Sequence, residues 1–286
     1  MDAADFYLED LKSKFQKINP ADYYLSYSGG RDSHFLFWFI KKYLHDTKIE
    51  IVSINTGLEH KEIADRMKVN SDRILRPVKS YAEIKEVYGI PCFTKNQDAI
   101  IYKYRKHLSD KTEIPPYLKE LVERSIEGHD HKKSIFRINN CAYNALFNGT
   151  LHNISDLCCK YLKKQPAINY ENVSGKKPII GMMQSESQLR KAKITSCFNQ
   201  KKYFYPIFDL ADDIQFQIEI KYSIEVPNIY KYIKQTGCIG CPYGIHRGGT
   251  VKELNLCTPQ QRKFLLEYFK ESYAIRGLSY QYKFEF

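Results

Sequence analysis

Hydrophobic and polar positions alternate along the chain in two rhythms. Phe6, Leu8, Leu11 and Phe15 fall at helical spacing and predict an amphipathic helix over residues 4–17, ended by Pro20. The aromatic run Tyr23-Tyr24-Leu25-Ser26-Tyr27 predicts a short strand, and Phe35 to Ile40 continues as a buried helix to about His45. Ile49–Ile54 reads as a second strand, 59–69 as a helix, and Arg73–Val78 as a third strand. Residues 95–150 are helical and basic, Pro178–Met183 is a later strand, and 209–222 is a helix with Asp209 as its N-cap. A last helix follows Thr258-Pro259 over 258–272. Strands alternating with helices imply an α/β protein: a parallel twisted sheet flanked by helices, with a helical C-terminal extension.

Composition narrows this picture. At 286 residues the chain is long enough for one large α/β domain plus an appendage, and a boundary near residue 205 divides it into 1–205 and 206–286. No run of 18 apolar residues occurs, so no membrane partner is expected. The charged N-terminus lacks the apolar segment of an export signal, so a reducing cytoplasm is expected. The formal net charge of +11 fits either a nucleic-acid surface or a Lys-rich solvated face plus a pocket for a polyanion.

Two segments carry chemistry. The first is Ser28-Gly29-Gly30-Arg31-Asp32-Ser33, between the first strand and its helix. Two glycines allow a tight turn and close backbone approach to a phosphate. Successive N–H groups then form an anion nest at a helix N-terminus. Ser28 and Ser33 add hydroxyls, Asp32 can cap the helix or help hold Mg²⁺, and Arg31 reaches phosphate or solvent. The plainer alternative is an ordinary capped Gly-Gly turn. It is not a Walker A loop, because no Gly-Lys-Ser/Thr follows.

The second segment is a set of thiols. Cys158-Cys159 and the loop Cys238-Ile239-Gly240-Cys241 together offer four thiolates, which suit tetrahedral Zn²⁺ or an iron–sulfur cluster. Spacing alone does not choose between the metals. Cys197 is an alternative ligand, and Cys92, Cys141 and Cys257 read as structural.

The Ser-Gly-Gly loop resembles that of the PP-loop, or adenine nucleotide alpha hydrolase, superfamily, and within it the phosphoadenosine phosphosulfate (PAPS) reductase family. Asn55-Thr56-Gly57-Leu58-Glu59 is similar to that family's second signature, beside the adenosine. Gly181 to Arg190 is similar to its Gly-x-Arg-x-x-Glu-Ser-x-x-Arg element, with Met183 where the family has Arg and with Glu186, Ser187 and Arg190 matching. A Cys-Cys pair, about eighty residues, then Cys-x-x-Cys resembles the [4Fe–4S] pattern of a phage and bacterial branch, which implies a bacterial or phage-infected cytoplasm.

The resemblance implies a nucleotide-binding domain over 1–205, with the C-terminal extension packed on it. It places ATP or an adenylyl sulfonucleotide at Ser28–Ser33, Thr56, Gly57, Ser187 and Arg190, with Mg²⁺, and gives Asp32, Glu186 and Arg190 catalytic roles. Glu59 is a second candidate base, and Lys163, Lys164 and Arg190 would offset substrate charge. The family's reductases attack with a Cys near the C-terminus, but the last Cys here is Cys257, outside any Glu-Cys-Gly motif. The loop form instead resembles ATP pyrophosphatases, several of which transfer sulfur. The leading expectation is an ATP-using, sulfurtransferase-like enzyme with a [4Fe–4S] cluster and an unidentified sulfur donor. The alternatives are a sulfonucleotide reductase, a non-catalytic nucleotide sensor, or a zinc-stabilised nucleic-acid-binding protein.

Overall fold

The computed structural model describes residues 2–123, 136–186, 190–191 and 194–278, without the side chains of residues 186, 246 and 247. In chain order the main elements are α1 (Ala3–Phe15), β1 (Tyr23–Ser26), α2 (Arg31–Tyr43), β2 (Glu50–Ile54), α3 (Lys61–Asn70) and β3 (Arg73–Leu75). There follow α4 (Tyr81–Tyr88), α5 (Lys95–Ser109), α6 (Pro116–Glu123), α7 (Asn140–Phe147), α8 (Gln165–Ser174) and β4 (Lys177–Ile179). The chain continues with α9 (Asp212–Lys221), α10 (Gly249–Leu256), α11 (Pro259–Tyr268) and α12 (Lys270–Ile275). No helix among the described residues is long and apolar enough to cross a membrane.

The contacts divide the chain into two units, Met1–Pro77 with Gln165–Thr236, and Val78–Lys164 with Gly237–Phe286. The expected boundary near 205 therefore falls inside the first unit. Residues 206–236 carry α9 and belong with β1, so the extension with the Cys-x-x-Cys loop begins only at Gly237.

The first unit is built on a four-stranded sheet in the order β3-β2-β1-β4, every pair parallel. The α/β class expected from the alternating pattern is the one found. Parallel strands need crossover connections, which α2 and α3 supply between β1, β2 and β3. The core joins Leu8, Leu11 and Phe15 of α1 to Phe35 and Phe39 of α2 and to Phe204. Phe15 packs edge-on to Phe204 with ring centroids 5.2 Å apart. Burying each such ring contributes about 1.5–3 kcal/mol. Phe6, the other member of the α1 stripe, is exposed.

Differences from the sequence reading lie at element ends. Asp209 does not cap α9, whose N-cap is Ala211; its carboxylate instead accepts two bonds from Lys14 Nζ at 2.6 and 2.7 Å. The helix over 258–272 is two helices, interrupted at Phe269. Its start is as the sequence implies: Thr258 and Gln261 form a reciprocal capping box.

The second unit is helical, with a core of Phe93, Ile101, Leu118, Val122 and Ile138 among others. Ile84, Cys158 and Leu162 form a separate small cluster in it. A π-helical turn, Lys160–Lys164, directly follows Cys158-Cys159.

Candidate functional site

Leaving β1, the chain runs through β2 to β3 on one side, and returns much later to place β4 on the other. The strand order thus reverses between β1 and β4. In open parallel sheets, the crevice beyond the carboxyl ends of strands at such a switch point is where ligands bind. A cavity of about 480 Å³ lies there, lined by Ser28 and Gly30–Ser33 after β1 and by Gly181–Met183 and Ser185 after β4. Arg190, Asp212, Gln215, Tyr230, Lys234, Gln235 and Thr236 complete its wall.

The loop geometry follows from its glycines. Gly29 has φ +72°, and a Cβ there would come within 2.8 Å of the Ile63 carbonyl oxygen on α3. Gly30 is the N-cap of α2, with no side-chain cap. The Ser33 hydroxyl donates to the Gly30 carbonyl at 3.1 Å and accepts the Ser28 N–H at 3.2 Å, so the two serines brace the bend. Gly181 is needed for a different reason: a Cβ there would come within 3.0 Å of the Asp32 carbonyl carbon, so the β4 segment lies directly on the first turn of α2.

An α-helix leaves its first N–H groups without acceptors inside the helix. At α2 the Arg31 N–H is taken by the Tyr230 hydroxyl at 3.0 Å, which also bonds Thr236 Oγ1 at 3.0 Å. The next two residues, Asp32 and Ser33, line the cavity. The positive end of a 13-residue helix therefore opens on a space with Arg190 and Lys234 in its wall.

Arg31 lines the cavity and is also paired. Its guanidinium makes a bidentate pair with Glu219, Nε to Oε1 at 2.7 Å and Nη2 to Oε2 at 2.6 Å, which neutralises it. Asp32 lines the cavity and accepts a bond from Gln215 Nε2 at 3.2 Å. Burial raises its pKa, against the Gln215 bond and the charges of Arg31 and Arg190, while Asp212 raises it further. Ser185 Oγ donates to Asp212 at 2.9 Å. Met183, which stands where the resemblance expects Arg, is buried and joins the apolar core as well as the cavity wall.

The turn after β2 is not part of this cavity. Glu59 accepts the N–H groups of Thr56 at 3.1 Å and Gly57 at 3.0 Å and the Thr56 hydroxyl at 2.7 Å. Thr56, Gly57 and Glu59 line none of the cavity, and the Glu59 carboxylate is engaged in holding its own turn. Ser187 and the side chain of Glu186 lie outside the described residues.

No family model matches the chain. No curated protein matches it either.

The four expected thiols all lie in the second unit. Cys158 and Cys159 share a hydrogen bond that raises the pKa of Cys158, with burial and the charges of Cys159, Cys241 and Cys238 adding to the rise. The same bond lowers the pKa of Cys159, helped by Lys95, Lys163 and Lys164. Burial raises that of Cys241, as do Cys238 and Cys159. The Cys-x-x-Cys turn is tightly held: Gly240 has φ +65°, and a Cβ there would come within 2.9 Å of the Tyr273 hydroxyl. Glu253 accepts the Gly240 N–H at 3.0 Å, and Thr250 donates to the Cys241 carbonyl at 2.7 Å. As the side chains stand, no three His, Cys, Asp or Glu among the described residues form a chelate.

Cys197, the alternative ligand, belongs to the first unit, among the charges of Lys14, Asp209, Lys17 and Asp10. Lys163 and Lys164 act on Cys159, whereas Arg190 lines the cavity of the first unit. Cys257 is buried, with its thiol on the Leu254 carbonyl at 3.3 Å.

Sequence reading missed Gln215, Glu219, Tyr230 and Lys234. Glu219 meets Arg31 across 188 residues, and no local pattern announces such a pair. Thr236 stands two residues before Cys238, in a stretch whose evident chemistry is that of the thiols.

Proposed function

We propose that the chain is a nucleotide-using enzyme of the PAPS reductase kind, which binds the phosphates of ATP or an adenylyl sulfonucleotide at the carboxyl ends of β1 and β4. One observation carries this: the N-terminus of α2, whose N-cap Gly30 has no side chain to cap it, opens on a 480 Å³ cavity at the point where the strand order reverses. The amides of α2, with Arg190 and Lys234, would oppose charge that builds on the phosphates as a bond to phosphorus breaks. Asp32 and Asp212 offer carboxylates for Mg²⁺ in the same wall. ATP pyrophosphatase chemistry of the sulfurtransferase type suits this better than sulfonucleotide reduction. The last thiol, Cys257, is buried in the second unit and has its pKa raised by that burial, the opposite of an activated nucleophile.

The donor set Cys158, Cys159, Cys238 and Cys241 fits a [4Fe–4S] cluster or Zn²⁺, given rotation of the thiols onto the ion. When bound, an iron–sulfur cluster would supply a landing place for a sulfur donor, whereas zinc would hold shape. The lysines around Cys159 favour the thiolate form that either metal requires.

Titration of anaerobically purified protein with ATP and Mg²⁺ tests the phosphate site. Saturable binding and release of pyrophosphate are expected; failure to bind ATP, a sulfonucleotide or inorganic tripolyphosphate defeats the reading. Brown protein with iron and acid-labile sulfide is expected from the same preparation, bleached by Cys238→Ser. A colourless, zinc-loaded preparation decides for zinc.

A further inference from the structure

A surface helix ordinarily buries its apolar stripe and shows its polar one to water. Helix α9 does the reverse over two turns. Gln215 and Glu219 are 1% and 5% exposed, while Phe216 and Ile220 are 56% and 64% exposed. The inward polar pair has its reason in the phosphate loop: Gln215 Nε2 donates to Asp32 at 3.2 Å, and Glu219 holds the Arg31 guanidinium. The outward pair serves no such bond. Phe216 and Ile220 stand four residues apart and so share one stripe, with the exposed Asp213 and Gln217 on the same side. Helix α1 lies against the end of α9, where Lys221 Nζ donates to Asp2 at 2.8 Å and to Asp5 at 2.6 Å. Phe6, the neighbour of Asp5, is 70% exposed.

We propose that this face joins two copies of the chain, with α9 of one copy lying antiparallel on α9 of the other across a twofold axis.

The charge along α9 favours a second copy as the occupant. Its first turn carries Asp212 and Asp213, and its last turn carries Lys221. Asp213 and Lys221 are each four residues from Gln217, so a twofold axis near Gln217 sets each acidic turn beside Lys221 of the second copy. A twofold contact presents the same patch from both sides and must be complementary to itself, which this sequence of charges is. A parallel pairing would set like charge on like. The antiparallel one also opposes the two helix dipoles. Lys221 keeps its own bonds to Asp2 and Asp5 and is still 37% exposed, enough to meet a further carboxylate.

The area points the same way. Aromatic side chains carry about 150–250 Å² each, so Phe6, Phe216 and Ile220 together show roughly 350 Å² of apolar surface. A standard interface buries about 800 Å² per partner, a little over half of it apolar, or roughly 450 Å². The three side chains supply most of that share, and the polar residues around them supply the rim.

Sedimentation velocity over a concentration series tests the proposal on the full chain. The wild type is expected to pass from monomer to dimer. Phe216→Asp sets a charge at the centre of the contact and should weaken the dimer about 100-fold or more, roughly 2.7 kcal/mol. Asp213→Lys should weaken it less, and mixing that variant with Lys221→Glu should restore a dimer of one copy of each. Thermal unfolding checks that the variants fold. A wild type that stays monomeric leaves the face to a different protein and overturns the proposal, as does a dimer that Phe216→Asp leaves intact. Hydrogen exchange of the wild type alone gives a second answer: amides of residues 212–222 should gain protection as concentration rises, and protection independent of concentration overturns the proposal. Tripolyphosphate titration reads the phosphate site separately, so the failure of either reading leaves the other standing.

Discussion

Two neighbouring strands of the sheet end in glycine-bearing turns, and the turns do opposite things. After β1, Ser28-Gly29-Gly30 leads into α2 with no side-chain cap, beside a cavity. After β2, Asn55-Thr56-Gly57 leads toward α3, and Glu59 closes the turn by accepting two backbone N–H groups and a hydroxyl. Both look like ligand loops in sequence. Two physical facts separate them: whether the turn's donors are already bonded, and whether the strand borders the point where the sheet order reverses. β1 borders it with β4, and β2 lies between β1 and β3.

The largest expected effect breaks the open turn. A Cβ at Gly30 would stand 2.8 Å from the Tyr230 hydroxyl and 3.3 Å from Thr236 Oγ1, and the larger side chain of Gly30→Val intrudes further into the cavity. Affinity for ATP and for tripolyphosphate should fall about 100-fold or more, roughly 2.7 kcal/mol. Calorimetric titration checks this. Unchanged affinity would place the anion elsewhere and erase the contrast between the two turns.

At the closed turn the effect should be on stability alone. Glu59→Gln replaces a buried carboxylate that accepts three bonds with a neutral amide, and the weakened bonds should cost about 1–3 kcal/mol. Denaturant unfolding reads that loss, while tripolyphosphate affinity in the folded variant stays within about twofold. A matched drop in affinity would show that the β2 turn belongs to the phosphate site.

The bend after β1 was legible in the sequence because what braces it is local. Gly29, Gly30 and Ser33 act through their own backbone and one another, and the strand–loop–helix pattern was visible in the aromatic run before them and the apolar run after. The α/β class was legible for the same reason. Thr56-Gly57 has the same residue types, but its turn is held by Glu59 three residues after Thr56, a local bond that the residue types alone do not announce. The partners of the loop were hidden, since Glu219, Gln215 and Tyr230 reach it from 183 to 199 residues away. The unit boundary was hidden too: chain leaves the first unit at Pro77 and re-enters it at Gln165, so no single cut in the sequence separates the two bodies.

The smallest expected effect sharpens the comparison through the acceptor that each turn meets. At the closed turn that acceptor is a carboxylate, and bonds to a charged group are roughly twice as strong as neutral ones. At the open turn the Arg31 N–H meets only the neutral hydroxyl of Tyr230, which a polyanion can displace. Tyr230→Phe removes this internal competitor and keeps the ring. Tripolyphosphate affinity should therefore rise by about twofold to fivefold, while the lost bonds to Arg31 and Thr236 cost about 0.5–1.5 kcal/mol of stability. A fall in affinity would reverse the role of the hydroxyl, making Tyr230 a donor to the ligand and not a stand-in for it.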